Sequence, residues 1–160
     1  YDKWYYAVIR DILAYVPFKD DYEHLACLLE PSISPAEAKR SIKLLEKLKL
    51  IQVNESGYYT RTDKVLRTKT ETMNSALMNY VHKMMDKAKT ASTRISRDDR
   101  SMSCVGFVVS EKTYKVIKSE VDEFRARILK IAEEDQDPER VYHMNVQIFP
   151  VSKKIQGEDW

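Results

Sequence analysis

Apolar residues return every three or four positions over most of this chain, and the places where that rhythm breaks divide it into elements. Tyr5, Val8, Ile9, Ile12 and Val16 share one side of a helix over Asp2 to Tyr15, which Pro17 closes. Asp20 or Asp21 then caps a short helix carrying Leu25, Leu28 and Leu29 that stops before Pro31, because a residue preceding proline is pushed out of helical geometry. In SISPAEAKRSIKLLEKLKLI, Ser34 is an N-cap and Pro35 takes the first helical position, where its missing N–H costs nothing. Glu37 completes a capping box. Ala38, Ile42, Leu45 and Leu48 form the buried side of this third helix. Ile51-Gln52-Val53 and Tyr58-Tyr59-Thr60 are short strands around Asn54-Glu55-Ser56-Gly57, a turn that calls for glycine at positive φ. Lys49 stands where a glycine usually ends such a third helix, which predicts a looser turn there. Three helices and a hairpin in this order predict a winged helix-turn-helix from Tyr1 to Asp63.

Beyond Asp63 the pattern changes. Met73, Leu77, Tyr80, Val81, Met84 and Ala88 trace one face of a long helix. After the polar break at Asp98, Asp99 and Arg100, the run Cys104-Val105-Gly106-Phe107-Val108-Val109 has the length and β-branching of a strand. Ser110 caps a helix with an apolar stripe of Tyr114, Ile117, Val121, Phe124, Ile128 and Ile131, ended by the acidic loop to Pro138. Tyr142, Met144, Val146 and Ile148 then alternate with His143, Asn145 and Gln147, as in a half-buried strand. The expected fold is therefore α+β: a winged helix-turn-helix over 1–63, then a small helix-strand-helix-strand domain over 64–153, with a hinge near Asp63 to Thr70 and a frayed tail over 154–160. The stripe has coiled-coil spacing, but with a strand on either side it fits better a helix packed on a sheet, with Phe124, Val108 and Val146 in one core.

Charge sharpens the division. From Ser34 to Lys69 there are nine basic residues against four acidic, whereas from Glu111 to Arg140 there are seven against nine. The net charge of +2 carries no argument for nucleic-acid binding by itself, but its distribution shows that the two halves differ in electrostatic character. Cys27 and Cys104 are far apart and in no Cys/His cluster, which argues against a disulfide framework or a zinc site and for a reducing compartment. No apolar run reaches the ~18–20 residues of a transmembrane helix, and no signal-peptide pattern opens the chain, so a cytoplasmic location with no membrane partner is expected. The chain opens on Tyr1 inside a helical pattern, as expected of a piece of a longer protein.

The stretch VSEKTYKVIKSEVDEFRARILKIAEEDQDPERVYHMNVQIFPVSK from Val109 to Lys153 resembles the C-terminal signature of a bacterial family of uncharacterised proteins, the Fibrobacter paralogous family. Arg100, Ser103, Val109, Ser110, Phe124, Arg125, Asp135, Pro138, Arg140, Val141, Tyr142, Asn145, Gln147, Phe149, Pro150 and Lys153 carry the resemblance, and the opening YDKWYYAVIRDIL resembles the start of that family's domain. Its members resemble transcriptional regulators with a further helix-turn-helix upstream. The resemblance therefore implies the regulatory part of a bacterial DNA-binding regulator, with DNA and a second copy of the chain as partners.

Each candidate site has a plainer alternative. Arg40, Lys43 and Lys47 lie opposite the apolar side of the third helix and are placed to enter a major groove, with Arg61 on the hairpin touching phosphate. They are equally an ordinary solvated face, which would leave a protein-interaction or dimerisation module with no nucleic-acid contact. His143, Asn145 and Gln147 either face solvent, line a ligand pocket or lie against a partner subunit. Met73, Met78, Met84 and Met85 read as filler on an amphipathic helix rather than an adaptable ligand surface. His24, His82 and His143 lie outside metal-ligand spacing, and no nucleophile elbow, phosphate loop or HExxH appears. No cofactor or metal is expected, and enzyme is the least favoured class.

Overall fold

The computed structural model describes residues 3–63 and 70–155. The hinge expected at Asp63 to Thr70, apart from its two end residues, and the tail beyond Ile155 lie outside them. The elements are α1 (Tyr5–Ile12), α2 (Tyr22–Cys27), α3 (Pro35–Lys47), β1 (Ile51–Val53), β2 (Tyr59–Arg61), α4 (Thr70–Arg94) and α5 (Glu111–Glu133), with one 3₁₀ turn at Arg97–Asp99. Among the described residues, helices plus one small antiparallel sheet make this a mixed α+β chain. Contacts divide it into two compact units, Tyr1–Ala91 with Tyr142–Trp160, and Ser92–Val141.

In the first unit, the sequence signals convert directly into geometry. Asp21 caps α2 by accepting from the His24 N–H at 3.0 Å. Ser34 and Glu37 close the expected capping box, with the Ser34 N–H donating to Glu37 Oε2 at 2.8 Å and the Glu37 N–H donating to Ser34 Oγ at 3.1 Å. The core gathers Ile9 and Leu13 after α1's start, Leu25 and Leu29 around α2, Ile42 and Leu45 from α3, and Leu50 and Ile51 at the entry to β1. Ser41 is buried among them and donates its hydroxyl to the Glu37 carbonyl at 2.8 Å, so no polar atom is stranded.

Helix α1 is shorter than its apolar pattern. It ends at Ile12, and the Ala14 and Tyr15 amides turn back to the Asp11 and Ile12 carbonyls in tighter three-residue steps ahead of Pro17. The hairpin registers Ile51 with Arg61, Gln52 with Thr60 and Val53 with Tyr59, one residue later on the second strand than expected. Its turn is set by Asn54, whose Oδ1 accepts from the Ser56 and Tyr58 amides at 3.0 Å, and by Gly57 at φ 83°.

At Lys49 the structure corrects the expectation of a loose turn. Lys49 adopts φ 59°, the left-handed conformation glycine would take, and the Leu50 amide reaches back to the Leu45 carbonyl at 2.9 Å. The turn is as tight as a glycine would make it. Burial of Leu50 and the bond from Thr62 Oγ1 to the Lys49 carbonyl at 2.8 Å hold a lysine in a backbone well that disfavours a side chain.

The second half departs further from the pattern. Helix α4 forms and runs beyond Ala88 to Arg94, where the Arg100 guanidinium donates to the Ser92 and Ile95 carbonyls at its end. Helix α5 forms under the expected Ser110 cap, which accepts from the Thr113 amide at 3.2 Å. The strands expected at Cys104–Val109 and Tyr142–Ile148 are absent: among the described residues neither segment belongs to a sheet, and no backbone amide or carbonyl from Ser101 to Val109 has a backbone partner. An alternating pattern prepares a strand, but a strand exists only when an edge is there to pair with. Within the second unit, Phe124 and Val108, expected in a core, are 41% and 81% exposed.

The constrained turn gives a direct test. Lys49→Gly removes the left-handed penalty without touching the core and is expected to raise stability by about 0.5–1 kcal/mol in chemical denaturation, net of glycine's greater freedom in the unfolded chain. A loss of stability would show that Lys49 is held by more than its backbone.

Candidate nucleic-acid interface

The rotation of α3 is set by what it buries. Ala38, Ser41, Ile42 and Leu45 face inward, so Lys39, Arg40, Lys43 and Lys47 face solvent. Arg40, Lys43 and Lys47 follow at i, i+3 and i+7, which lines them along one side of the helix over about 10 Å at 1.5 Å per residue. Lys43 and Lys47 make no ion pair among the described residues. Arg40 lies near enough to Glu37 for its charge to favour the carboxylate. Glu37 is held below the ordinary carboxylate range chiefly by the Ser34 backbone N–H, then by the Ser34 hydroxyl, with Arg40 a smaller cause.

Arg61, the fourth candidate, is placed differently. It sits on β2, and its Nη1 lies 3.3 Å from Asp11 Oδ1 on α1, so the guanidinium is engaged by a carboxylate of its own unit. The pair is about half exposed and so contributes little to stability, yet it offsets the Arg61 charge with a carboxylate of the same unit.

The third group of candidates separates. His143 Nε2 and Asn145 Oδ1 are 2.8 Å apart, and Asn145 Nδ2 donates to the Met84 carbonyl on α4 at 2.9 Å. The His143 ring meets Tyr80 edge-on at 5.9 Å between centroids. Burial, with a smaller contribution from the Asp11 charge, pushes the Tyr80 hydroxyl's pKa up. His143 and Asn145 therefore tether an extended segment to α4, while Gln147 remains exposed.

Two basic features were not legible beforehand. Lys19 Nζ stands 4.7 Å from the Tyr58 ring centroid beside the hairpin turn. Lys87 Nζ stands 3.4 Å over the Trp4 ring and donates to the Glu30 carbonyl at 2.9 Å, in an open cavity of about 390 Å³ that Lys3, Glu37 and Lys83 also line. Each joins residues tens of positions apart, which no local spacing rule detects. Among the described residues no three His, Cys, Asp or Glu side chains gather closely enough to hold a metal, and no helix is long and apolar enough to cross a membrane.

The family model for a domain of unknown function, DUF4423, matches residues 1–151. The chain belongs to the DUF4423 family. The match spans both units and names no activity. No curated protein and no solved structure matches this DUF4423 chain.

Two measurements check the geometry. A carboxylate with a depressed pKa adds stability that is present at neutral pH and lost as pH falls through its folded-state value. Stability of the DUF4423 chain, followed by denaturation between pH 7 and pH 3, should therefore drop below about pH 4.3, and Glu37→Gln should flatten part of that drop. An identical profile in the variant would show that the box does not depend on the charge. Asn145→Ala leaves the Met84 carbonyl without its donor and is expected to cost about 1 kcal/mol, a fall of roughly 2–4 °C in the thermal midpoint. An unchanged midpoint would mean that the tether is not formed in solution.

Proposed function

We propose that the first unit of this DUF4423 chain is a winged helix-turn-helix that contacts duplex DNA through α3, as the regulatory part of a bacterial transcriptional regulator. The observation that carries this reading is the exposed line of Arg40, Lys43 and Lys47 on a helix whose opposite side is buried. Three cations over about 10 Å suit a major groove roughly 12 Å wide, where lysine and arginine meet phosphates on either wall. The packing of α2 and α1 on α3 leaves that line uncovered, and the hairpin follows α3 as a wing does. Arg61 contributes to DNA contact only if it leaves Asp11, so the α3 residues carry the reading. The resemblance of Val109 to Lys153 to a family of uncharacterised bacterial proteins, which implies a regulator, agrees with it.

A second reading, a protein-interaction or dimerisation module, is favoured by a separate observation: large apolar side chains stand exposed throughout Ser92–Val141.

The DNA reading is tested by fluorescence anisotropy of a labelled mixed-sequence duplex of about 30 base pairs, titrated with the 160-residue chain at several salt concentrations. Three phosphate contacts predict a slope of about −2.7 for log K against log salt, with a sequence-independent Kd on the order of 10⁻⁴–10⁻⁶ M near physiological salt. Arg40→Glu with Lys43→Glu should weaken binding by about tenfold or more while leaving the thermal midpoint nearly unchanged, because both side chains are exposed. No binding at 50 mM salt, or equal binding by the double variant, would leave the interaction module as the function of this chain.

A further inference from the structure

Lysines also gather in the first unit away from the exposed line of α3. The open cavity of about 390 Å³ lies where the residues that open α1, the first turn of α3 and α4 come together. Lys3, Lys83 and Lys87 line it, with Trp4 as an apolar wall and Glu37 and Asp86 as its carboxylates. Lys83 and Lys87 are one helical turn apart on α4, where like charges repel, and Lys3 brings a third cation from a different element. The carboxylates do not cancel this group. Glu37 is taken up by the capping box, its Oε2 accepting the Ser34 N–H at 2.8 Å, and Lys3 and Lys83 form no ion pair among the described residues. Lys87 is fixed in direction, its Nζ 3.4 Å over the Trp4 ring and 2.9 Å from the Glu30 carbonyl, so its charge is placed before any ligand arrives. Arg40 also bears on Glu37, so four cations stand against two carboxylates and leave two positive charges to be met. That is the charge a phosphate monoester carries near neutral pH, and its several oxygens suit ammonium groups that approach from different directions.

We propose that this cavity binds a phosphate group, held by Lys3 and Lys83 beside the fixed charge of Lys87 and the apolar wall of Trp4. Two sources supply such a group. The charges of Arg40 and Lys3 both reach the Glu37 carboxylate, so the cavity adjoins the basic line of α3 and is placed to take a backbone phosphate of a bound duplex. Its volume also lies within the range of small-molecule sites, which suits a free phosphomonoester. The site rests on the DNA reading for the first source alone.

Trp4 reports on its own cavity. Trp4 and Trp160 are the two tryptophans, so Trp160→Phe leaves the emission of Trp4 alone. Sodium phosphate is titrated at pH 7 into the whole chain carrying Trp160→Phe, with sodium chloride holding the ionic strength constant. The emission should change saturably with a midpoint on the order of 1 mM, the strength of a few contacts at an open site. Lys3→Gln with Lys83→Gln should raise that midpoint about tenfold or more and leave the thermal midpoint without phosphate nearly unchanged, since neither lysine enters an ion pair among the described residues. A saturable response lost in the double variant supports the proposal. No saturable response, or the same response in the variant, overturns it whatever the chain does with DNA. The duplex titration then identifies the source. If the backbone supplies the phosphate, the slope of log K against log salt is steeper than the −2.7 of the α3 line by about 0.9 for each of the two lysines, and the double variant returns to about −2.7. Equal slopes in the two chains make a free phosphate group the ligand. A chain that binds phosphate and no duplex removes the DNA reading and leaves this site standing.

Discussion

Burial of one side of α3 is the constraint on which the first unit depends. A thirteen-residue helix is marginal in water by itself, so its stability comes from Ala38, Ile42 and Leu45 packing under α1 and α2. Once those side chains are inside, the rotation of the helix is settled, and Arg40, Lys43 and Lys47 have nowhere to point but outward. The capping box adds to this from the other direction. Ser34 and Glu37 satisfy amides at the N-terminus before the core is reached, and the buried Ser41 hydroxyl takes the Glu37 carbonyl inside. A basic face and a hydrophobic core are here two sides of one helix, and neither can be moved without the other.

The hairpin is held to that helix layer by polar bonds at its base. Arg10 on α1 donates to the Thr62 carbonyl at 2.9 Å and lies 3.5 Å from the Leu50 carbonyl. Thr62 in turn bonds the Lys49 carbonyl. At the start of β2, the Tyr59 amide donates to the Phe18 carbonyl at 2.9 Å, and Phe18 is buried. A two-stranded ribbon is barely stable alone, so these clamps decide where it sits. They also bring β2 beside α1, which is how Arg61 meets Asp11. The same logic of remote anchoring applies to Asn145 and His143, which fasten a segment late in the chain to Met84 and Tyr80 of α4.

The second unit shows the opposite case, in which local signals are strong and nothing within the unit completes them. Ser110 caps α5 as its pattern requires, and Arg100 closes the end of α4, so both helices are well made. Phe124, Ile128 and Ile131 of the apolar stripe, and the apolar run before the helix, nonetheless remain exposed. Helices satisfy their own backbone bonds and can form from local information, whereas a strand takes its bonds from a neighbour and a stripe takes its burial from another surface.

The division between sequence and tertiary structure follows that same line. Short-range chemistry alone determined the Ser34 cap and its glutamate, the proline at the start of α3, the Asn54 to Gly57 turn, the Ser110 cap and the inward side of α3, because each depends on residues within about one or two helical turns. From those followed the helix order of the first unit and the outward placement of three of the four basic candidates. Only the tertiary structure decided that Lys49 accepts a left-handed backbone, that Arg61 is taken by Asp11, that Lys87 lies over Trp4, and that the runs at Cys104–Val109 and Tyr142–Ile148 find no edge to join. These outcomes rest on contacts across 50 or more residues, or on how firmly neighbouring burial holds a strained turn, and an alternating or charged pattern carries no information about the distant group that will meet it.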